Sequence, residues 1–520
     1  MHKHGHTFYK APIALGVLFS SFYLHSADFN EKSISQLHAL VEGNQASYQE
    51  INQFYLDAIA KNNKQGFNLN AVISINPHTL EQAKQKDLLR NQGQVVGPLF
   101  GMPIIVKDNI NTLDGMATTA GALALANNYS QNDAFLVEKL KQAGAIIIGK
   151  ANLSEWANFR SSISSSGWSD VGGQAKNPYV LNRTPCGSSS GSAVAVAANF
   201  AVAAIGTETD GSITCPASHT SLVGIKPSVG LISRSGVVPL SASQDSPGPM
   251  TRTVADAALL LTVLAQPDPK EATFATHPGY IDYRQFLKQD GLKGKRIGIA
   301  RNISDFNAVS TAAFNQALSV LKAQGAIIID NLELPDQEAL SQAEFDVLLY
   351  DFKHDLNQYL AQTPKEVSVK TLEQLIQFNQ SNTDLTRFNQ ALLTMANEKT
   401  DLTSPNYQQA QTLIELKGRK NGIDALMQAH QLDAIAAPTN SPAWVIDTIN
   451  GDHFAGASSA PSAIAGYPLV TVPMSYHHEL PLGISFFGTR LSEGKLIEIA
   501  YGFEQANPIR QAAKFIPSID

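Results

Sequence analysis

The chain has 520 residues, 43% of them hydrophobic and 16% charged, which is enough apolar material for a large buried core. Lysine and arginine total 38 against 45 acidic residues, a formal net charge of −7, and no basic run carries interleaved aromatics, so nothing supports a nucleic-acid partner. The only cysteines, Cys186 and Cys215, exclude a disulfide-dense scaffold and a four-cysteine zinc site.

Read from the start, Lys3, Lys10 and three histidines give a mildly basic opening, followed by an apolar stretch over residues 11–24 and a small residue, Ala27, before a polar run. This pattern predicts a signal peptide at 1–27 and a mature chain at 28–520 that is soluble, secreted or periplasmic, and not stably bound to a membrane. An uncleaved anchor is the alternative, although the stretch is shorter than the roughly 20 apolar residues a spanning helix needs. His2, His4 and His6 fall inside the segment expected to be removed, so they do not argue for a metal site.

Further along, Leu140-Lys141-Gln142-Ala143-Gly144-Ala145-Ile146-Ile147-Ile148 resembles Leu321-Lys322-Ala323-Gln324-Gly325-Ala326-Ile327-Ile328-Ile329. Each reads as a helix end, a glycine stop and a buried strand covered by helices on both faces. Residues 103–106 and 296–300 read as further strands, and 133–142 and 192–204 as helices. The alternation predicts an α/β fold with a large mixed, mainly parallel sheet. Residues from about 336 to 420 read as a helical subregion that covers substrate. Strands return at 434–438 and 469–473, so the C-terminal part completes the sheet and the mature chain is one domain.

Three segments carry the chemistry. Cys186-Gly187-Ser188-Ser189-Ser190-Gly191-Ser192 runs into an alanine-rich helix, and Gly206-Thr207-Glu208-Thr209-Asp210-Gly211-Ser212-Ile213 is a second polar, glycine-bounded turn. A flexible linker is the plain alternative for the first, but linkers seldom lead straight into an apolar helix. Lys107 ends the apolar run Ile104-Ile105-Val106. It either snorkels to the surface or is desolvated enough to be neutral near pH 7, as a general base must be.

Gly101-Met102-Pro103-Ile104-Ile105-Val106-Lys107-Asp108, Gly187-Ser188-Ser189-Ser190-Gly191-Ser192 and Thr209-Asp210-Gly211-Ser212-Ile213 together resemble the amidase signature family. The likeness is strongest over residues 97–253, and Asn152-Leu153-Ser154-Glu155-Trp156 is similar to bacterial peptide amidases. The resemblance implies an amidohydrolase acting through an acyl-enzyme, with Ser212 as nucleophile and Lys107 as base. Ser188 would bridge them after a cis peptide bond from Gly187. It also implies an oxyanion hole of Thr209, Asp210 and Gly211 backbone amides, and no metal or organic cofactor. Its substrate would be a small-molecule or peptide amide, in particular a C-terminal peptide amide. Two positions depart from the family: Asp210 stands where many members have glycine, and Thr214 where they have arginine.

Three other readings compete. Gly187-Ser188-Ser189-Ser190-Gly191 fits G-x-S-x-G, with Ser189 as nucleophile beside His219, His453 or His477 and an aspartate, but Arg183-Thr184-Pro185 replaces the apolar strand that such an elbow needs. A transamidase subunit would resemble the same family but would work in the cytoplasm with partners. A catalytically silent binding protein fits poorly, because all three residue types of the triad are present. Cys186 and Cys215 are expected to be buried thiols, with a disulfide as the alternative.

Overall fold

The computed structural model describes residues 1–7, 27–382 and 387–519. Most of the expected signal segment, including its apolar stretch, therefore lies outside the described residues. Among the described residues, no helix is long and apolar enough to cross a membrane.

Thirteen strands follow in chain order among the described residues: β1 (Val72–Ile75), β2 (Pro103–Lys107), β3 (Ile146–Ala151), β4 (Trp168–Ser169), β5 (Gly173–Gln174), β6 (Ala203–Glu208), β7 (Val223–Lys226), β8 (Ser246–Thr251), β9 (Arg296–Ala300), β10 (Ile327–Leu332), β11 (Ala434–Pro438), β12 (Leu469–His477) and β13 (Leu480–Phe487). Eleven form one mixed sheet in the order β1-β3-β2-β6-β8-β7-β12-β13-β11-β9-β10, and β4 pairs with β5 apart from it. Parallel ladders join β3-β2-β6 on one flank and β11-β9-β10 on the other. Antiparallel ladders join the flanks through β8, β7, β12 and β13. The late strands β12, β13 and β11 lie between β7 and β9, so the sheet closes only with the C-terminal part of the chain.

β2 is flanked by β3 and β6 and buried at every position, as its unbroken apolar run demands. The second of the two similar segments behaves differently. β10 is the last strand of the sheet, and Ile327 is 45% exposed. The two segments share a composition, but position in the sheet decides burial.

The helix expected over 192–204 is two elements. It runs only over Ser190–Ala197, and Ala203–Glu208 is strand β6. An alanine- and valine-rich run buried on all sides has no period to separate helix from strand. Here Asn199 takes a left-handed backbone conformation (φ 56°) and turns the chain. The helix packs tightly: a Cβ on Gly191 would lie 2.3 Å from the Ala71 carbonyl oxygen, so only glycine fits.

Residues 336–420 are helical, with helices Gln337–Ala361, Leu372–Ser381, Ala391–Asn397 and Pro405–Leu413. The first buries Phe352, Leu356 and Leu360 in a cluster with Phe159, Val238 and Leu240, which attaches this helical layer beside the sheet ends that carry the polar loops.

Candidate active site

Lys107 is the last residue of β2, and its side chain is fully buried. Its Nζ lies 2.7 Å from Ser188 Oγ, 2.8 Å from Thr207 Oγ1 and 3.1 Å from the Thr207 carbonyl oxygen. The sheet sets this up, because β2 pairs in parallel with β6, whose Thr207 sits just beyond the ladder. Burial pulls the Lys107 pKa down to about 7, against the opposing pull of Asp245 and Glu208. A neutral amine has two N–H groups and one lone pair. With both N–H groups on the Thr207 oxygens, the lone pair faces the Ser188 hydroxyl.

Burial alone does not single out Lys107. Lys150, opposite Val106 on β3, is equally buried and lowered to about 8. Its Nζ donates to the Ile110 carbonyl (2.5 Å) and Thr118 Oγ1 (2.7 Å) and lies 3.8 Å from Asp108. Its neighbours make it structural, whereas Lys107 meets the serine loop.

Ser188 is fully buried and follows a cis peptide bond from Gly187. The next residue laces the two serine loops together, since the Ser189 N–H donates to the Ser212 carbonyl (3.0 Å). Ser189 Oγ donates to the Thr207 carbonyl (3.0 Å) and accepts from the Thr207 N–H (3.1 Å). The G-x-S-x-G reading is not assembled: Ser189 is committed to β6, and the histidines are engaged elsewhere. His219 contacts the Ser441 carbonyl (2.9 Å), with burial lowering its pKa to about 4. His453 contacts Asp447 (3.2 Å), and His477 stacks edge-on against His478.

Ser212 lies in the loop between β6 and the short helix Thr214–His219. Among the described residues, the amides of Asp210, Gly211 and Ser212 donate no hydrogen bond, which leaves them free to receive a carbonyl oxygen. The left-handed residue here is Gly211 (φ 74°), not Asp210, so aspartate at 210 needs no unusual backbone. Burial raises the Asp210 carboxyl to about 6.

Two residues beyond the expected set organise this loop. Glu208, at the end of β6, accepts from the Ile213 and Thr214 amides (2.7 and 2.8 Å) and from Thr214 Oγ1 (3.4 Å). It clamps the loop around Ser212, and Thr214 supplies a contact of its own in place of the expected arginine. A carboxylate ending an apolar strand one residue after Thr207 was the available signal. Asn109 Nδ2 donates to Thr207 Oγ1 (3.0 Å), which steadies the lysine's partner. Glu208→Gln, which keeps the shape but weakens acceptance from two amides, is expected to lower kcat about tenfold with little change in fold by circular dichroism.

The expectation of free thiols is overturned. Cys186 and Cys215 form a disulfide between the two serine loops and pack against Trp444. Sequence separation hid this, because the loops meet only through the helix Ser190–Ala197 and β6. His219 lies beside both sulfurs, but sulfurs bonded to each other are not thiolate metal ligands. Replacing both cysteines by alanine removes a link spanning 29 residues and is expected to cost about 3–4 kcal/mol, read as a lower melting temperature.

A buried lysine, a serine after a cis bond and a second serine under free amides, held on an eleven-stranded sheet, define a serine-type amide hydrolase. The chain belongs to the amidase family, whose model matches residues 50–497. It is 45% identical to the peptide amidase of Stenotrophomonas maltophilia, whose solved structure superposes with a TM-score of 0.89 over 94% of this chain and 99% of that one. A probable amidase of Arabidopsis thaliana is 40% identical over 94% of this chain and 92% of its own length. A glutamyl-tRNA(Gln) amidotransferase subunit of Carboxydothermus hydrogenoformans is 33% identical over 83% of this chain and 89% of its own.

Proposed function

We propose that this amidase hydrolyses C-terminal peptide amides to the free carboxylate and ammonia, with Ser212 as nucleophile, Ser188 as proton bridge and Lys107 as base. The observation that carries the reading is the fully buried Lys107 Nζ, 2.7 Å from Ser188 and lowered to about 7. Ser212 attacks the carboxamide carbon as its proton passes to Ser188, and the Ser188 proton passes to Lys107. The oxyanion is received by amides of Thr209, Asp210, Gly211 and Ser212. The lysine, now an ammonium, returns a proton through Ser188 to the leaving nitrogen, and ammonia departs. Water then attacks the acyl-enzyme by the same relay, which restores both serines and releases the acid.

The peptide amide is favoured over other amides by the 45% identity to a peptide amidase. The test is ammonia release from purified mature protein offered blocked peptide amides, small aliphatic amides and glutamine. Ammonia from peptide amides alone supports the substrate; ammonia from small amides alone overturns it. Release only in the presence of a partner and an acceptor would favour a transamidase.

The reading includes export. It is supported by the basic and apolar start of the chain and by a disulfide, which persists in oxidising compartments. Fractionation of the source cells checks it: activity in the cytoplasmic fraction, on a chain retaining residues 1–27, contradicts it.

A further inference from the structure

Residues 441–458 leave the sheet after β11 and return to the nucleophile loop. At the base, Asn440 bridges Ala457, and the Ser441 N–H donates to the Gly456 carbonyl (2.9 Å). The Ser441 carbonyl meets His219, and Ser459 Oγ lies 3.1 Å from where a Gly211 Cβ would stand. Along one side, the Thr184 N–H donates to the Trp444 carbonyl (2.9 Å), which ties the loop to the segment leading into Cys186. The excursion therefore starts and ends at the residues that hold Ser212 and Ser188.

Its polar groups are taken up internally. Asp447 accepts from the Ile449 and Asn450 amides (2.9 and 2.8 Å), which holds its carboxyl well below the usual range. Asp452 accepts from the Ser166 amide (3.0 Å) and from Trp444 Nε1 (3.0 Å). Alongside the exposed Asn450 and His453, the loop presents large apolar side chains outward: Ile449 is 81% exposed and Phe454 56%, beside Ile163 at 45%. Gly451 lies against the Ile163 carbonyl, so the two segments form one surface. From Phe454 this surface leads inward to Trp444 (ring centroids 5.8 Å) and on to the Cys186–Cys215 disulfide between the serine loops.

We infer that Ile449, Phe454 and Ile163 are the subsite for apolar side chains on the acyl side of the substrate. The substrate class is then amides of short peptides with hydrophobic residues before the carboxamide. This rests on the reading of Ser212 as nucleophile. An extended acyl chain advances about 3.4 Å per residue, and a hydrophobic side chain seated on Ile449 and Phe454 displaces water from apolar surface that is otherwise exposed.

The experiment compares blocked leucyl-leucinamide with blocked glycyl-glycinamide, on the wild type and on an Ile449→Ser/Phe454→Ser double variant. The wild type is expected to favour the leucyl substrate in kcat/KM by about tenfold or more. In the double variant that preference shrinks at least fivefold through a higher KM, with kcat and the glycyl substrate unchanged. An unchanged preference, an equal loss on both substrates, or a change only in oligomeric state overturns the subsite. If the wild type releases ammonia from neither amide, the substrate reading falls first and the subsite with it. A Phe454→Lys variant gives a second arm: it should lose the leucyl preference while keeping its melting temperature.

Discussion

Ser212→Ala is expected to lower kcat about 10⁴-fold or more and to leave KM and the melting temperature nearly unchanged. In the proposed mechanism the hydroxyl is the group that bonds to substrate, whereas the loop around it is held by other atoms: the Glu208 carboxylate, the Ser189 amide and the Cys186–Cys215 link. Alanine removes the proposed nucleophile and keeps the free amides of Asp210 and Gly211. The residual rate over water then reports what these amides and binding contribute without covalent catalysis. Rapid-quench kinetics on the wild type should show an acyl-enzyme burst that the variant lacks. A variant retaining a tenth of the wild-type kcat would exclude Ser212 as the nucleophile.

Lys107→Met is the second large effect. Methionine matches the length of the side chain but cannot accept a proton, and loss of a general base costs about 10²–10⁴ in rate. Stability should move the other way. Lys107 is fully buried and its pKa of about 7 lies below the ordinary value near 10.4, so between these two values the unfolded chain binds a proton that the folded chain does not. Stability on this account rises with pH across that window, and at pH 7 the buried amine contributes less than it would at pH 10. An apolar methionine removes that penalty, so the variant is expected to melt at the wild-type temperature or above it. The wild-type kcat/KM should climb with pH on a single limb with its midpoint near 7, falling about tenfold for each unit below it. Ser188→Ala should lose rate comparably, because the proposed proton path runs through its hydroxyl.

Most of the candidate site is legible in the sequence because its residue types are chemically specific. A lysine closes an apolar strand, a glycine-serine turn precedes an apolar helix, and a second serine lies in a glycine-bounded turn. What the sequence carries less well are features set by tertiary neighbours. Ile146-Ile147-Ile148 and Ile327-Ile328-Ile329 read alike, yet one strand lies inside the sheet and the other at its edge. The run 192–204 has no period to mark where Ala197 ends the helix and Ala203 begins the strand. Cys186 and Cys215 stand 29 residues apart, and nothing local shows that β6 brings them together. Glu208 and Asn109 are hard to read from sequence because they act through contacts with backbone amides and with Thr207, which no spacing encodes.

The helical region also becomes interpretable in space. Glu344, in the helix Gln337–Ala361, accepts from Gln244 Nε2 (2.7 Å), and the same nitrogen donates to the Thr209 carbonyl (3.3 Å). The helical layer thus reaches the nucleophile loop through Thr209, apart from the disulfide contact. Burial, together with the nearby Asp210, raises the Glu344 carboxyl well above its usual range.

The most direct test is the titration of Lys107 itself, followed by NMR of the labelled side-chain nitrogen in the Ser212→Ala protein, with Lys107→Met as the assignment control. A midpoint near pH 7 is expected, because the amine is fully desolvated and faces Ser188. A midpoint near 10 would mean a lysine that stays protonated at the pH of catalysis, and the proposed relay through Ser188 could not operate.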